Sequence, residues 1–401
     1  MKTQSMNTMI NTCSNVMGLQ FGGDKCVKLH IGKNHNPDIC GKGEVDSWKE
    51  DMMITEHGEE ILVDTYGGKV EMKSVDEKKY LGQIISKDLK NEKNLKDKTN
   101  RSVGNVNKII STLNERPYGQ FTFKAAILMR EGILIGSLLN NAETWINLTQ
   151  KNILEIEKPD KMLQEILFET KSSKVFYYLE FGVLPVKYVV MKKRLKFLKY
   201  ILNENMDTMI RKVFEEQKKE TKRGDFIDLI TNDLELLEIK LTYKEIETYT
   251  KPVWDKLVNE RTEEVVFTIL VRENESKSKT KHLKYEDFRT NEYLLENKNT
   301  QISKIIYSIR AGTLNIKSWN SWKYEDNLCI MCNIKEENMD HFMSCEKYER
   351  TNIAWEDIYE NMTDKQFEIG KEAKIRLGIR EKKIRHDGQS SSLAPTAPIQ
   401  M

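Results

Sequence analysis

Tyr177–Leu202 reads YYLEFGVLPVKYVVMKKRLKFLKYIL, and the fold class turns on this stretch. Pro185 stands just ahead of Val186–Leu202, where its fixed φ suits the start of a helix and its missing N–H costs nothing. Met191, Leu195, Leu198 and Leu202 then recur at i, i+4, i+7 and i+11, an apolar stripe at helical spacing. The helix expected over Val186–Leu202 carries Lys187, Lys192, Lys193, Arg194, Lys196 and Lys199 and no acidic residue. Lys192, Lys196 and Lys199 share a second face. Two readings of that face stand side by side. It is either the solvated side of a helix packed on the core, or a surface that tracks phosphates by releasing their condensed counterions.

Helical spacing continues on both sides. Val103, Val106, Ile110 and Leu113 mark a helix that must end before Pro117, because the residue before proline avoids the helical region. Phe121–Trp145, Thr149–Phe168, Met206–Lys219, Asp225–Leu237, Trp254–Arg272 and Ile302–Arg310 read the same way, with Pro159 expected to kink or break its helix. The first third differs. Cys26–Ile31, Ile61–Tyr66, Lys69–Lys73 and Lys79–Ser86 are short β-like runs between turn signals, and Gly67-Gly68 has the form of a two-residue hairpin connection. The fold class expected is α+β, mostly α, with a small N-terminal antiparallel β part. The expected division is 1–88 (sheet), 89–300 (helices), 301–350 (a Cys/His module) and 351–401 (a tail, disordered from about 387).

Composition sets the outer limits. At 401 residues two or three domains are expected, with 39% hydrophobic and 31% charged residues favouring amphipathic helices. Only 20 Gly and 7 Pro argue against a turn-rich all-β chain. A net charge of +2 excludes a globally polycationic protein but leaves room for a local basic patch. Six Cys do not make a disulfide framework, the first residues lack an apolar signal core, and Ala125–Trp145 is interrupted by Arg130 and Glu131. The expectation is a soluble intracellular chain, nuclear or cytoplasmic, with no membrane partner.

The sharpest chemical signal is CIMCNIKEENMDHFMSC, Cys329–Cys345, in which Cys329, Cys332, His341 and Cys345 follow C-x2-C-x8-H-x3-C. A C-x2-C pair presents two sulfurs from one turn, and a His and a Cys four apart share one helical face. Four N/S donors complete the tetrahedron of a structural zinc site and leave no position for a catalytic water. Cys13, Cys26 and Cys40 lack such spacing and read as small buried or incidental thiols. Lys218, Lys219, Lys222 and Arg223 form a second basic cluster, weakened by Glu220. Lys277, Lys279, Lys281 and Lys284 form a third, in a stretch read as a mobile linker. The sequence contains no HExxH, GxSxG, GxxxxGK[ST] or Asp-Asp, and no pair of acids stands out as a catalytic couple.

Several segments together resemble one family. GLQFGGDKCVKLHIGK (Gly18–Lys33) is similar to the segment after the catalytic hairpin of non-LTR retrotransposon reverse transcriptases, and KKYLGQIIS (Lys78–Ser86) to the Tyr-Leu-Gly hairpin that follows. Tyr177–Leu202 resembles the thumb and connector, and the Cys/His motif resembles the C-terminal zinc-binding motif of the same polymerases. The order is collinear from Gly18 to Cys345. The resemblance implies an RNA and DNA template–primer as partner. It places Lys25 near the incoming nucleotide and Tyr80, Leu81 and Gly82 in a primer-gripping hairpin. Lys192, Lys193, Lys196 and Lys199 then lie along the template–primer backbone, and Cys329, Cys332, His341 and Cys345 ligate structural zinc. Each has a plainer reading: Lys25 as an exposed strand-edge lysine, Tyr80 and Leu81 as packing residues, and Gly82 as the residue of a tight bend.

One departure matters most. Polymerisation needs carboxylates holding two Mg²⁺ ions, and in this family they lie in motifs upstream of the segment matched by Gly18. The chain is therefore expected to be a C-terminal piece of such an enzyme, with no catalytic residue of its own and with Mg²⁺ needed only by the full-length polymerase. The alternative expectation is a host-retained, non-catalytic, zinc-stabilised helical scaffold.

Overall fold

A computed structural model describes residues 27–29, 62–65, 68–71, 73–75, 77–80, 83–86, 91–114, 122–146, 148–295, 299–350, 353–360 and 363–386. The chain divides into two compact units, Met1–Asp97 and Lys98–Met401. Most of the described residues are helical, so the expected class, α+β and mostly α, is what the chain adopts.

In the first unit β2 (Leu62–Thr65) and β3 (Gly68–Glu71) pair antiparallel, and so do β5 (Glu77–Tyr80) and β6 (Gln83–Ser86). The β2–β3 hairpin closes on Thr65 opposite Gly68, one position earlier than the Gly67-Gly68 connection expected. Within the β-like run Lys79–Ser86, Tyr80 stands opposite Gln83 in the β5–β6 pair. A third pair, β1 (Val27–Leu29) with β4 (Lys73–Val75), is parallel, so the β part is not wholly antiparallel. A parallel partner needs a long crossover, and here the β2–β3 hairpin lies within that connection. The Ile84 amide of β6 donates to the Asn94 side chain at 3.1 Å, and Lys79 pairs with Asp97 at 3.2 Å. These contacts tie the hairpin to the first turns of α1 (Glu92–Asn114).

The second unit is built around α6 (Val186–Asn203), the helix with the apolar stripe. It is preceded by α2 (Phe123–Met129), a π-helical turn (Arg130–Ile135), α3 (Gly136–Leu138), α4 (Gln150–Phe168) and α5 (Lys174–Phe181). After it come α7 (Met209–Lys219), α8 (Phe226–Leu236), α9 (Tyr243–Thr248) and α10 (Lys251–Glu275). Helices α4, α7, α8, α9 and α10 all pack on α6. Trp254 of α10 is fully buried and donates its indole N–H to the Leu195 carbonyl of α6 at 2.9 Å.

Pro159 does not break α4, which runs unbroken through it. Proline removes the N–H that would bond the carbonyl four residues back, and that carbonyl, of Glu155, has the Thr99 hydroxyl 3.5 Å away. The next residue, Asp160, is buried and accepts two hydrogen bonds from Arg130 at 2.7 and 2.6 Å. Arg130 opens the π-helical turn, which replaces the regular helix expected over this part of Phe121–Trp145.

Glu180 and Gly182, in the opening motif, organise the far side of α5. Glu180 is buried and pairs with buried Arg310, while the Tyr285 and Tyr293 hydroxyls donate to it at 2.8 and 2.7 Å. Gly182 has φ +59°, and a Cβ there would stand 2.3 Å from the Arg289 carbonyl carbon. Glycine therefore allows both the left-handed helix end and the close passage of the 285–293 strand of chain.

The remaining elements are α11 (Glu292–Leu295), α12 (Thr300–Arg310), α13 (Met339–Ser344) and α14 (Thr363–His386). Two expectations need correction here. The stretch read as a mobile linker is anchored, since Thr280 and Leu283 are buried and Thr280 exchanges hydrogen bonds of 2.6 and 2.8 Å with Asn274. Within the segment expected as a tail, 351–401, residues 363–386 form a long helix whose Phe367, Ile369 and Ala373 are buried. Gly370 lets α14 cross α12 closely, because a Cβ there would meet Ile302 and Ile306 at 2.8 Å. The Cys/His segment falls in the same compact unit as the helices around α6, so no boundary appears at residue 300. Residues 387–401 lie outside the described residues. No described helix is long and apolar enough to cross a membrane.

Candidate metal centre and the basic helix

The Cys/His segment folds back on itself through a short antiparallel bridge between Leu328 and Glu336. The Cys329 amide donates to the Lys335 carbonyl at 2.7 Å, and the Asn333 amide to the Cys329 carbonyl at 2.8 Å. Asn333 takes a left-handed conformation, φ 54°, which asparagine tolerates better than most residues and which completes the turn. Met331 and Cys332 point their amides at the Cys329 sulfur, and Ile334 and Lys335 point theirs at the Cys332 sulfur. On the other side Asn338 caps α13 by accepting the His341 amide at 2.8 Å. Cys345 ends the same helix, so His341 and Cys345 are presented by one short turn.

The ligand atoms of Cys329, Cys332, His341 and Cys345 all lie within 4.8 Å of one another. The Cys329 and Cys345 sulfurs are 3.9 Å apart, and the Cys332 sulfur is 3.1 Å from His341 Nε2. A tetrahedral ion with sulfur ligands at about 2.3 Å would separate two sulfurs by about 3.8 Å. The four sequence-predicted ligands thus converge on a cluster that could hold a metal ion. Cys329 and Cys345 are buried, while Cys332 and His341 are half-buried. Burial pushes the Cys329 thiol up to about 12 and also raises that of Cys345. Burial acts the same way on Cys332, but the amides of Lys335 and Ile334 and the neighbouring His341 outweigh it and bring that thiol down to about 6. A bound cation would reverse the local balance and deprotonate its thiol ligands.

Sequence reading missed the residues that surround this cluster. Glu337, Glu372, Arg376 and Arg380 are all buried beside it. Their signal was the spacing i, i+4, i+8 of Glu372, Arg376 and Arg380, which puts them on one face of α14. Charged residues at such spacing are normally solvated, so the pattern alone did not mark a buried face.

The basic helix is different from expectation. Lys199 is buried and donates its ammonium to the carbonyls of Ile246 and Glu247 at 3.0 and 2.9 Å. It ties down the end of α9 and is not part of a phosphate-facing surface. Arg194 is also buried and pairs with Asp233 of α8 at 2.8 Å. Lys192, Lys193 and Lys196 are half-buried. The Lys196 ammonium is held below its usual pKa by partial burial and by neighbouring Lys192, with Asp255 of α10 opposing. The second basic cluster is partly neutralised within α7, where Lys218 pairs with Glu215 at 2.8 Å and Lys219 with Glu216 at 2.6 Å. Lys25, Leu81 and Gly82 lie outside the described residues, and Tyr80 is placed only as the last residue of β5. No protein-family model, curated protein or solved structure matches this chain.

Proposed function

We propose that this chain is the C-terminal, non-polymerising part of a non-LTR retrotransposon reverse transcriptase. In this reading it holds template–primer nucleic acid and carries a structural zinc ion on Cys329, Cys332, His341 and Cys345. The observation that carries the proposal is collinearity: an antiparallel pair, β5 and β6, that brackets the Tyr-Leu-Gly motif, then a long helical stretch, then a convergent Cys3His cluster. Zinc suits a closed set of three sulfurs and one imidazole better than magnesium or calcium, which take oxygen ligands. Magnesium belongs to the full-length polymerase, whose carboxylates have no counterpart in an Asp-Asp of this sequence. The setting would be nuclear or cytoplasmic.

On the basic helix the phosphate contacts reduce to Lys192, Lys193 and Lys196. The burial of Lys199 and Arg194 favours a second reading, a zinc-stabilised scaffold in which α6 serves packing alone. Salt-dependent binding to an RNA–DNA primer duplex separates the two. Under the first reading log K falls linearly with log salt, and Lys192→Glu with Lys196→Glu lowers the slope by about 2, since each neutralised phosphate contributes roughly 0.9. No binding at low salt would leave the scaffold. Primer extension with Mg²⁺ is expected to give no product from this chain alone, and robust synthesis would overturn that part of the reading.

A further inference from the structure

We propose that α14 is part of the metal centre, with Arg376 and Arg380 as positioning residues that hold its two ligand-bearing halves together. The inference rests on the metal reading of the Cys3His cluster and extends it to a helix some thirty residues beyond the last ligand.

The geometry divides cleanly. Arg376 is fully buried and donates to the Phe342 carbonyl at 3.0 Å and the Cys345 carbonyl at 3.4 Å. These belong to the half that presents His341 and Cys345. Its Nε donates to Glu372 at 2.7 Å, and Glu372 also accepts from Arg350, just past Cys345, at 2.8 Å. One turn further on, Arg380 makes a two-pronged pair with Glu337, 2.9 Å on each side, with both side chains buried. Glu337 belongs to the half that presents Cys329 and Cys332. Its amide donates to the Asn327 carbonyl at 2.6 Å, its own carbonyl accepts from Ser318 at 3.2 Å, and its carboxylate accepts from the Lys317 amide at 2.9 Å.

One face of one helix therefore grips both halves of the cluster. A two-pronged guanidinium–carboxylate pair fixes orientation as well as distance. Glu337, Glu372, Arg376 and Arg380 are buried, so undocking α14 would leave Glu337 and the carbonyls of the ligand turn without these partners. Metal binding and the docking of α14 are then linked, and each must strengthen the other by the same factor.

The test uses the full chain. Zinc is titrated against a chromophoric chelator, and Co²⁺ is titrated in parallel so that its visible absorption reports how tetrahedral the site is. Arg376→Met and Arg380→Met are each expected to weaken zinc by about 10- to 100-fold, as outer residues of metal sites typically do, and to alter the Co²⁺ spectrum. Because Arg380 and Glu337 share one interaction, Arg380→Met with Glu337→Gln should lose less than the product of the two single losses. Lys374→Met, on the exposed side of α14, should match the wild type. A second measurement guards against variants that fail to fold. Stripping the metal from the wild type should speed hydrogen exchange across residues 363–386. Wild-type affinity and spectrum in both arginine variants, or unchanged exchange after stripping, would overturn the inference while leaving the metal site standing. A wild type that binds neither zinc nor Co²⁺ would instead overturn the metal reading itself.

Discussion

Lys199 and Lys196 lie three positions apart on α6 and do different work. Lys199 follows Leu195 by four residues and Leu198 by one, so the apolar face of the helix extends over it. Its ammonium satisfies two carbonyls at the end of α9, and its stem is buried with it. Lys199→Met keeps the stem and removes the donor, and is expected to destabilise the protein by about 1–3 kcal/mol in urea unfolding, the usual effect of leaving buried acceptors unmatched. The same change should leave the salt slope of nucleic-acid binding untouched, which Lys192→Glu and Lys196→Glu should not. Unchanged stability, or a lowered slope, would remove Lys199 from the packing role. The i, i+4, i+7 spacing showed that the three lysines share a face, but not how far the neighbouring helices cover it.

Between elements, Arg194 of α6 and Asp233 of α8 form the pair with the clearest consequence for pH. Burial pushes the Asp233 carboxyl up to about 6, and Arg194 opposes that shift without cancelling it. A carboxyl with a raised folded-state pKa binds its proton more tightly in the folded protein. Its stabilising contribution is fully present below the unfolded value, about 4, and is lost as pH rises through about 6. Carbon-detected NMR should place the Asp233 titration near 6, and stability should decline across that window. Asp233→Asn should remove the decline, even though it leaves Arg194 less well paired. A midpoint at the ordinary carboxylate value would contradict the assignment. Most helices around this pair were legible from apolar spacing, and Asp225 caps α8 where its sequence position suggested a start. Helices α5 and α9 were not, because seven of the eight α5 residues following Ser173 are buried and α9 is a single short segment. Helix α14 escaped notice because its buried face carries Glu372, Arg376 and Arg380.

At the scale of the molecule, the Cys/His cluster, α12 and α14 belong to the same compact unit as the helices around α6. Zinc that binds only the folded form stabilises it in proportion to the logarithm of its free concentration. Calorimetry should therefore show a Tm that rises with free zinc and falls on adding chelator. Far-UV circular dichroism of the chelated protein should retain most of its helical signal, because α6 and the helices packed on it contain no ligand. A Tm indifferent to zinc would contradict a structural metal. By itself the sequence determined the class, through helical periodicity after a β-like first third, and the four candidate ligands, through their spacing. Both are local properties, set by residues close together in the chain. Only the tertiary structure decided that Lys199 and Arg194 are interior groups, that Pro159 does not break α4, and that α14 reaches back to both halves of the Cys3His cluster. Those outcomes depend on which distant carbonyls and carboxylates come within reach of a charge, and spacing along the chain does not encode that.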